Sequence, residues 1–463
     1  MTIRDDRRYG PRRPAMPARA EVESDEPVIS QVQWSGIAVG LFLAVMALYG
    51  WLWVVENKRV GVALLLVPAI LALSAPIFLI AKRERAFDLA GLLACGLLLR
   101  FTFAPYRFGH AFDADTYYHA GVTLAQQFRH FDFNGDPAGP VPGTGAMKFI
   151  AGLVSVVAGD NRFAMFLIFT WASFFGCYLL YRAFRTALPN GNRYRYALLV
   201  FLWPSLAFWP SSIGKESWMM LALGIASLGA ARVYARRPAG YTLVVVGLFG
   251  GSLVRPHVML IALMAFAIAL MISRRTSARP GAITPSSVAK VAGLIVIVAI
   301  GGLVASRTES LLNVNDLSSS SIDSALTTTA NQTSQGGSSF SAPDPKNPIG
   351  YVEAAVTIVT RPFPFEASGT EQIVTSFEGL VLGLMLLASW RRLLSIPGLL
   401  RREPWIAFAL AYFLMFVFAF AAISNFGILA RQRVQVLPFL FVLLCVPAAS
   451  TVKPAVRRSS TRQ

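Results

Sequence analysis

The chain alternates between long apolar runs and short polar connections. A helix needs about 20 mostly apolar residues to cross a bilayer, and about twelve runs approach that measure. They lie at 34–54, 60–80, 87–104, 162–183, 195–209, 214–233, 241–254, 257–273, 288–306, 372–390, 404–423 and 429–449. The runs at 195–209 and 241–254 are short. Residues 146–158, AMKFIAGLVSVVA, are too short to span easily and carry Lys148 near their start, which predicts a helix at the interface. A further helix is expected over 116–129, TYYHAGVTLAQQFR. The pattern predicts an all-α polytopic integral membrane protein with about twelve transmembrane helices and interfacial helices in its first large outside loop. One transmembrane domain (34–450) contains that loop (105–160) and a long polar outside loop (307–371), between tails at 1–33 and 451–463.

Composition agrees. Of 463 residues, 55% are hydrophobic and 14% charged, against roughly 25% charged in a soluble domain. The net charge of +18 invites a nucleic-acid partner, but its distribution argues otherwise. The first 33 residues hold six arginines among acids and prolines, with no apolar core or cleavage pattern, as expected of a disordered cytoplasmic tail. With that tail inside, the inside segments hold 28 of the 42 lysines and arginines. Such asymmetry orients membrane proteins and accounts for most of the basicity without nucleic acid. Both termini are then cytoplasmic, in a multi-pass protein of the plasma (inner) membrane. Seven of nine tryptophans fall near predicted span ends, as an aromatic belt does. Cys95, Cys177 and Cys445 sit apart within apolar runs and offer no disulfide or metal-ligand spacing.

Once the spans are oriented, the polar chemistry gathers outside. All four histidines and fifteen of the 24 carboxylates fall there. Arg100, Lys215, Glu216, Arg255, His257, Glu378, Arg431 and Arg433 are expected to form a layer at the outer helix ends. Solute transporters place such charge near the bilayer midplane. A layer at the outer margin suits a substrate with its tail in lipid and its charged head at the surface, such as a lipid phosphate.

The most concentrated chemistry is FDADTYYHAG, residues 112–121. Asp113 or Asp115 can act as a general base on an acceptor hydroxyl, although Asp115 can equally be the N-cap of the helix expected from 116. A divalent cation between the two acids is the one cofactor the pair suggests, on a weak signal. Tyr117 and Tyr118 can stack on a sugar or anchor the interface, and His119 follows them. In SSIGKESW, Glu216 favours the helix dipole whereas Lys215 opposes it unless paired with an anion. In LVRPH, Arg255 offers bidentate phosphate recognition and His257 a second donor or an acid; a headgroup-binding turn is the plainer reading. RPFPFE brings Arg361 towards the same region on an extended strip. In ARQRVQVLPF, Arg431 and Arg433 point about 200° apart on a helix, so one is expected to face the cavity. Residues 315–347 are polar and low in complexity, which predicts a mobile outside loop. The NQT at 331–333 carries no weight.

These motifs together resemble the polytopic GT-C glycosyltransferases, which take sugars from polyprenyl-phosphate carriers. The similarity spans most of 87–445 as a spaced pattern: DADTYYHAG, an interface helix, WPSSIGKES, LVRPH and RQRVQVLPF. It departs in placing the acidic loop after the third span and in splitting the acids with Ala114. The resemblance implies a GT-C-like fold, a base at Asp113 or Asp115, and phosphate binding by Lys215, Arg255 and Arg431. The expected partners are a polyprenyl-phosphate-linked sugar donor, a glycan, lipid or protein acceptor, and membrane lipids. The expected activity is inverting sugar transfer on the extracytoplasmic side. The alternatives are a polysaccharide polymerase or ligase using lipid-diphosphate-linked glycans and, further off, a lipid-linked glycan transporter.

Overall fold

The computed structural model describes residues 32–55, 58–272, 302, 327–331, 333–334 and 338–447. Nearly all of the basic tail and of the expected span at 288–306, much of 315–347, and the 451–463 tail lie outside the described residues. The described residues are helical, with a single isolated β-bridge between Ser339 and Asn425.

Five helices are long and apolar enough to cross a membrane: Trp34–Val55, Leu89–His110, Arg162–Ala187, Lys215–Tyr234 and Thr370–Ala388. At 1.5 Å per residue, the 22 residues of Trp34–Val55 reach roughly the 30 Å thickness of the hydrocarbon core. Three bent pairs raise the number to eight if each is one span: Val60–Leu73 with Ala75–Ala81, Trp390–Leu399 with Pro404–Phe420, and Phe426–Arg433 with Leu437–Leu444. Twelve spans are therefore not reached among the described residues. Gly240–Ser252, Pro256–Ile272, Thr144–Ala158 and Pro348–Thr360 are apolar but shorter.

Helix Arg162–Ala187 packs closely on Lys215–Tyr234. A Cβ on Gly176 would lie 2.3 Å from the Met220 carbonyl oxygen, and one on Gly224 2.4 Å from that of Gly176. Glycine at both positions lets the backbones touch, which is how membrane helices gain packing when lipid already solvates their apolar surface. Other faces turn outward. Thr370–Ala388 exposes Phe377, Leu380, Leu384 and Leu387, an apolar strip suited to acyl chains.

The expected span at 195–209 breaks at Trp203, between Arg193–Leu202 and Pro204–Phe208. The break frees backbone groups that need partners in lipid. Arg100, fully buried, donates to the carbonyls of Phe201 (3.0 Å), Val200 and Leu206 (both 3.4 Å). On the far side, Glu378 accepts from Ser205 N at 2.7 Å and from the Ser205 hydroxyl. Both residues thus leave the expected outer charge layer. They serve the broken helix instead: the Arg100 guanidinium takes its free carbonyls and the Glu378 carboxyl accepts from the Ser205 N–H, as helix ends demand.

The connections sort into two ends. At one, Glu84 is shared by Arg185 and Arg193, and Arg195 reaches the Ser389 hydroxyl. At the other, Asp113 meets Arg431, Thr144 meets Lys215, and Gly143 N donates to Leu253 O. The segment 307–371 is not polar throughout, since it contains the apolar helix Pro348–Thr360. Part of the low-complexity stretch is pinned: Thr333 and Ser424 exchange a hydroxyl hydrogen bond, and Phe340 N donates to Ser424 O.

Candidate active site

The helix carrying the acidic motif begins four residues earlier than expected, running Phe112–Phe128 with Ala111 as N-cap and no side-chain cap. Asp115 is therefore not the cap. Both acids lie in the first turn, where they favour the dipole. Two positions apart on a helix is about 200°, so they diverge. Asp113 faces Arg431 at 3.4 Å, while Asp115 pairs with Arg162 at 2.8 Å. The same Arg162 donates to Phe108 O and lies 4.2 Å from the Phe108 ring centroid. The carboxylates do not share a direction, so the weak metal signal of the pair gains nothing from this arrangement. No group of three metal-binding side chains occurs among the described residues.

Asp113 borders a mixed charge cluster from four elements. Lys215 and Glu216 open their helix without a side-chain cap at Gly214. Glu216 does not pair with its neighbour but with Arg255, at 2.8 Å. Lys215 donates to the Thr144 hydroxyl at 3.2 Å and feels the charges of Asp113 and Arg255. Tyr117 lies between these groups. Burial, assisted by the charges of Asp113 and Glu216, pushes its phenol up to about 12, so it stays a neutral donor. His257 is within electrostatic reach of Arg255 and Lys215, and its Nδ1 has no partner.

Arg107 is the residue that sequence reasoning missed. Its guanidinium is buried against the rings of Phe208 and Trp209, at 5.2 and 5.0 Å. Arg107 makes no hydrogen bond or ion pair among the described residues, and its Nε is buried without a partner. It lies within reach of the charges of Arg431, Glu216 and Glu371. A buried charge with imperfect pairing costs several kcal/mol, and within a membrane protein it points to function. The available signal was its place six residues before Asp113, in YRFGHAFDAD. Arg431 also lies over this aromatic shelf, 5.3 Å from the Trp209 ring centroid.

Trp209 also lines a cleft of about 390 Å³, with Tyr106, Thr370, Glu371, Gln372 and Phe426 among its walls. That volume lies within the usual range for small-molecule sites, about 300–1,000 Å³.

The remaining expected residues lie elsewhere. Tyr118 donates to the Asp160 carbonyl at 2.7 Å and His119 packs edge-on to Tyr118, so both brace the motif helix. Arg361 does not join the cluster: it pairs with Glu366 and lies over the rings of Phe340 and Phe426. Burial raises the Glu366 carboxyl, but the hydrogen bonds from Arg361 and from Phe363 N outweigh it and hold it below the usual range. Arg433 is buried and donates to Arg361 O, so Arg431 alone of that pair turns towards Asp113.

Comparison with protein-family models, with curated proteins and with solved structures gave no match.

Proposed function

We propose that the protein is an inverting glycosyltransferase that moves a sugar from a polyprenyl-phosphate carrier to an envelope glycan, lipid or protein on the outer side of the plasma membrane. The observation that carries this reading is one exposed carboxylate, Asp113, 3.4 Å from Arg431 and within electrostatic reach of Lys215, with Arg107 and Arg255 joined to the same cluster through Arg431 and Glu216. In this scheme Asp113 takes the proton of an acceptor hydroxyl, and the hydroxyl oxygen bonds to the anomeric carbon. The bond from that carbon to the phosphate oxygen breaks on the opposite face. Its electron pair leaves with the lipid phosphate, whose charge the four cations offset.

Asp113 must be free to act as base. Its contact with Arg431 is long, at 3.4 Å, and the two side chains are 72% and 36% exposed. Such pairs contribute roughly 0–1 kcal/mol, so an arriving phosphate can take Arg431 and release Asp113. Arg162 holds Asp115 at 2.8 Å and is itself stacked on Phe108, which fits a structural role. The test uses purified full-length protein in proteoliposomes with a panel of polyprenyl-monophosphate sugars. The reading expects sugar transfer that releases the polyprenyl phosphate. Consumption of diphosphate-linked glycans alone would move the assignment to the polymerase or ligase class.

A further inference from the structure

At the opposite end of the bundle, helix Thr370–Ala388 is followed by Trp390–Leu399, which meets Pro404–Phe420 at 113°. The middle helix therefore lies across the run of its successor. Its Ile396 is buried and faces the protein, whereas Trp390 (54% exposed) and Leu394 (70% exposed) do not. Four arginines flank these apolar groups: Arg391, Arg401 and Arg402, all exposed, and the half-buried Arg392. Arg195 joins them through the Ser389 hydroxyl, at 3.1 Å, and within electrostatic reach of Arg392.

None of these five arginines has an ion pair among the described residues. Glu84, an acid at this end, is already occupied by Arg185 and Arg193. Glu403 follows Arg402 directly and, half-buried at the N-cap of Pro404–Phe420, makes no ion pair among the described residues. Beside the arginines, the exposed side chains Leu380, Leu384 and Leu387 form a stripe that leads to Trp390 and Leu394. Cationic groups above an unbroken apolar stripe complement a molecule with an anionic head and long acyl chains.

We propose that the Ser389–Arg402 turn, together with Arg195, is a binding site for the headgroup of an anionic membrane phospholipid. The arginines take the phosphate oxygens through charge-assisted hydrogen bonds, and the acyl chains lie along the Leu380–Leu387 strip. The site is separate from the cluster around Asp113, and the inference stands whether or not that cluster transfers sugars.

The test adds equal amounts of phosphatidylglycerol and phosphatidylcholine to the full-length protein in detergent and counts retained lipids by native mass spectrometry. Wild type is expected to prefer phosphatidylglycerol about tenfold. R391Q/R392Q/R401Q/R402Q brings the two lipids close to parity, whereas K82Q/R83Q/R85Q, at the same end, leaves the preference intact. Parity in wild type overturns the proposal, and so does a K82Q/R83Q/R85Q variant that falls as far as the quadruple one. If the quadruple variant fails to fold, R391Q/R392Q and R401Q/R402Q are each expected to lower the preference about threefold. A preference unmoved in both pairs also overturns it.

Discussion

Glu216→Gln removes a carboxylate 2.8 Å from Arg255 that also feels the charge of Arg431. The Glu216 and Arg255 side chains are only 14% and 9% exposed, so water does little to replace the lost charge. Two unit charges about 4 Å apart interact by roughly 4 kcal/mol at an effective dielectric near 20. Removing one member of a buried pair costs about 3–5 kcal/mol, because the other is left uncompensated. Glutamine keeps a carbonyl for the Arg255 guanidinium, which recovers about 1 kcal/mol. The expected destabilisation is therefore about 2–4 kcal/mol. E216Q/R255Q is expected to lose less than the single changes added together, with a coupling of about 2 kcal/mol. Reversible unfolding of the purified protein in mixed micelles measures both quantities. An E216Q variant within about 0.5 kcal/mol of wild type, the range of an ordinary surface change, would show the pair to be screened and the reasoning from burial to be wrong.

Three further outcomes follow from the same geometry. Arg431→Gln is expected to lower the rate of sugar transfer by about 10²–10³ while leaving stability within about 1 kcal/mol, since its partner is exposed; equal loss of both would make it structural. Glu366 has a folded-state pKa below the usual value, so its contribution is present above the unfolded carboxylate pKa, about 4.3, and fades as pH falls through the lowered one. The stability gap between wild type and E366Q should accordingly close during acid titration, and a gap that widens with acid contradicts the pairing. Single cysteines placed at Asp136 and at Arg402 are expected to be labelled from opposite faces of sealed vesicles, because the two loops belong to opposite ends of the bundle; labelling from one face removes the sorting on which the site depends.

Much of the helical plan could be read from hydropathy, because an apolar run near 20 residues long has few uses outside a bilayer. Helix ends were harder. Leu89–His110 continues past the apolar run into YRFGH, where cation–aromatic contacts replace lipid, and hydropathy cannot register such contacts. The break at Trp203 was hidden because its partners, Arg100 and Glu378, come from segments about 100 and 170 residues away. For the same reason these two charges looked like site residues. They answer a backbone need that exists only once the helices pack. The divergence of Asp113 from Asp115 depended on where the helix starts, and a shift of four residues turned an expected cap into an internal position. Nothing in the sequence sets Arg107 apart, since an arginine beside aromatic residues near a span end suits interfacial anchoring equally well. Its burial without an ion pair is visible only in three dimensions.

The most direct test of the central claim compares Asp113→Asn with Asp115→Asn in transfer from a polyprenyl-phosphate sugar, using protein matched for folded fraction. Asparagine keeps the shape of each side chain and removes the charge. The account predicts that D113N loses about 10²–10⁴ in rate and D115N less than about tenfold. Full activity in D113N, or a collapse confined to D115N, would contradict it.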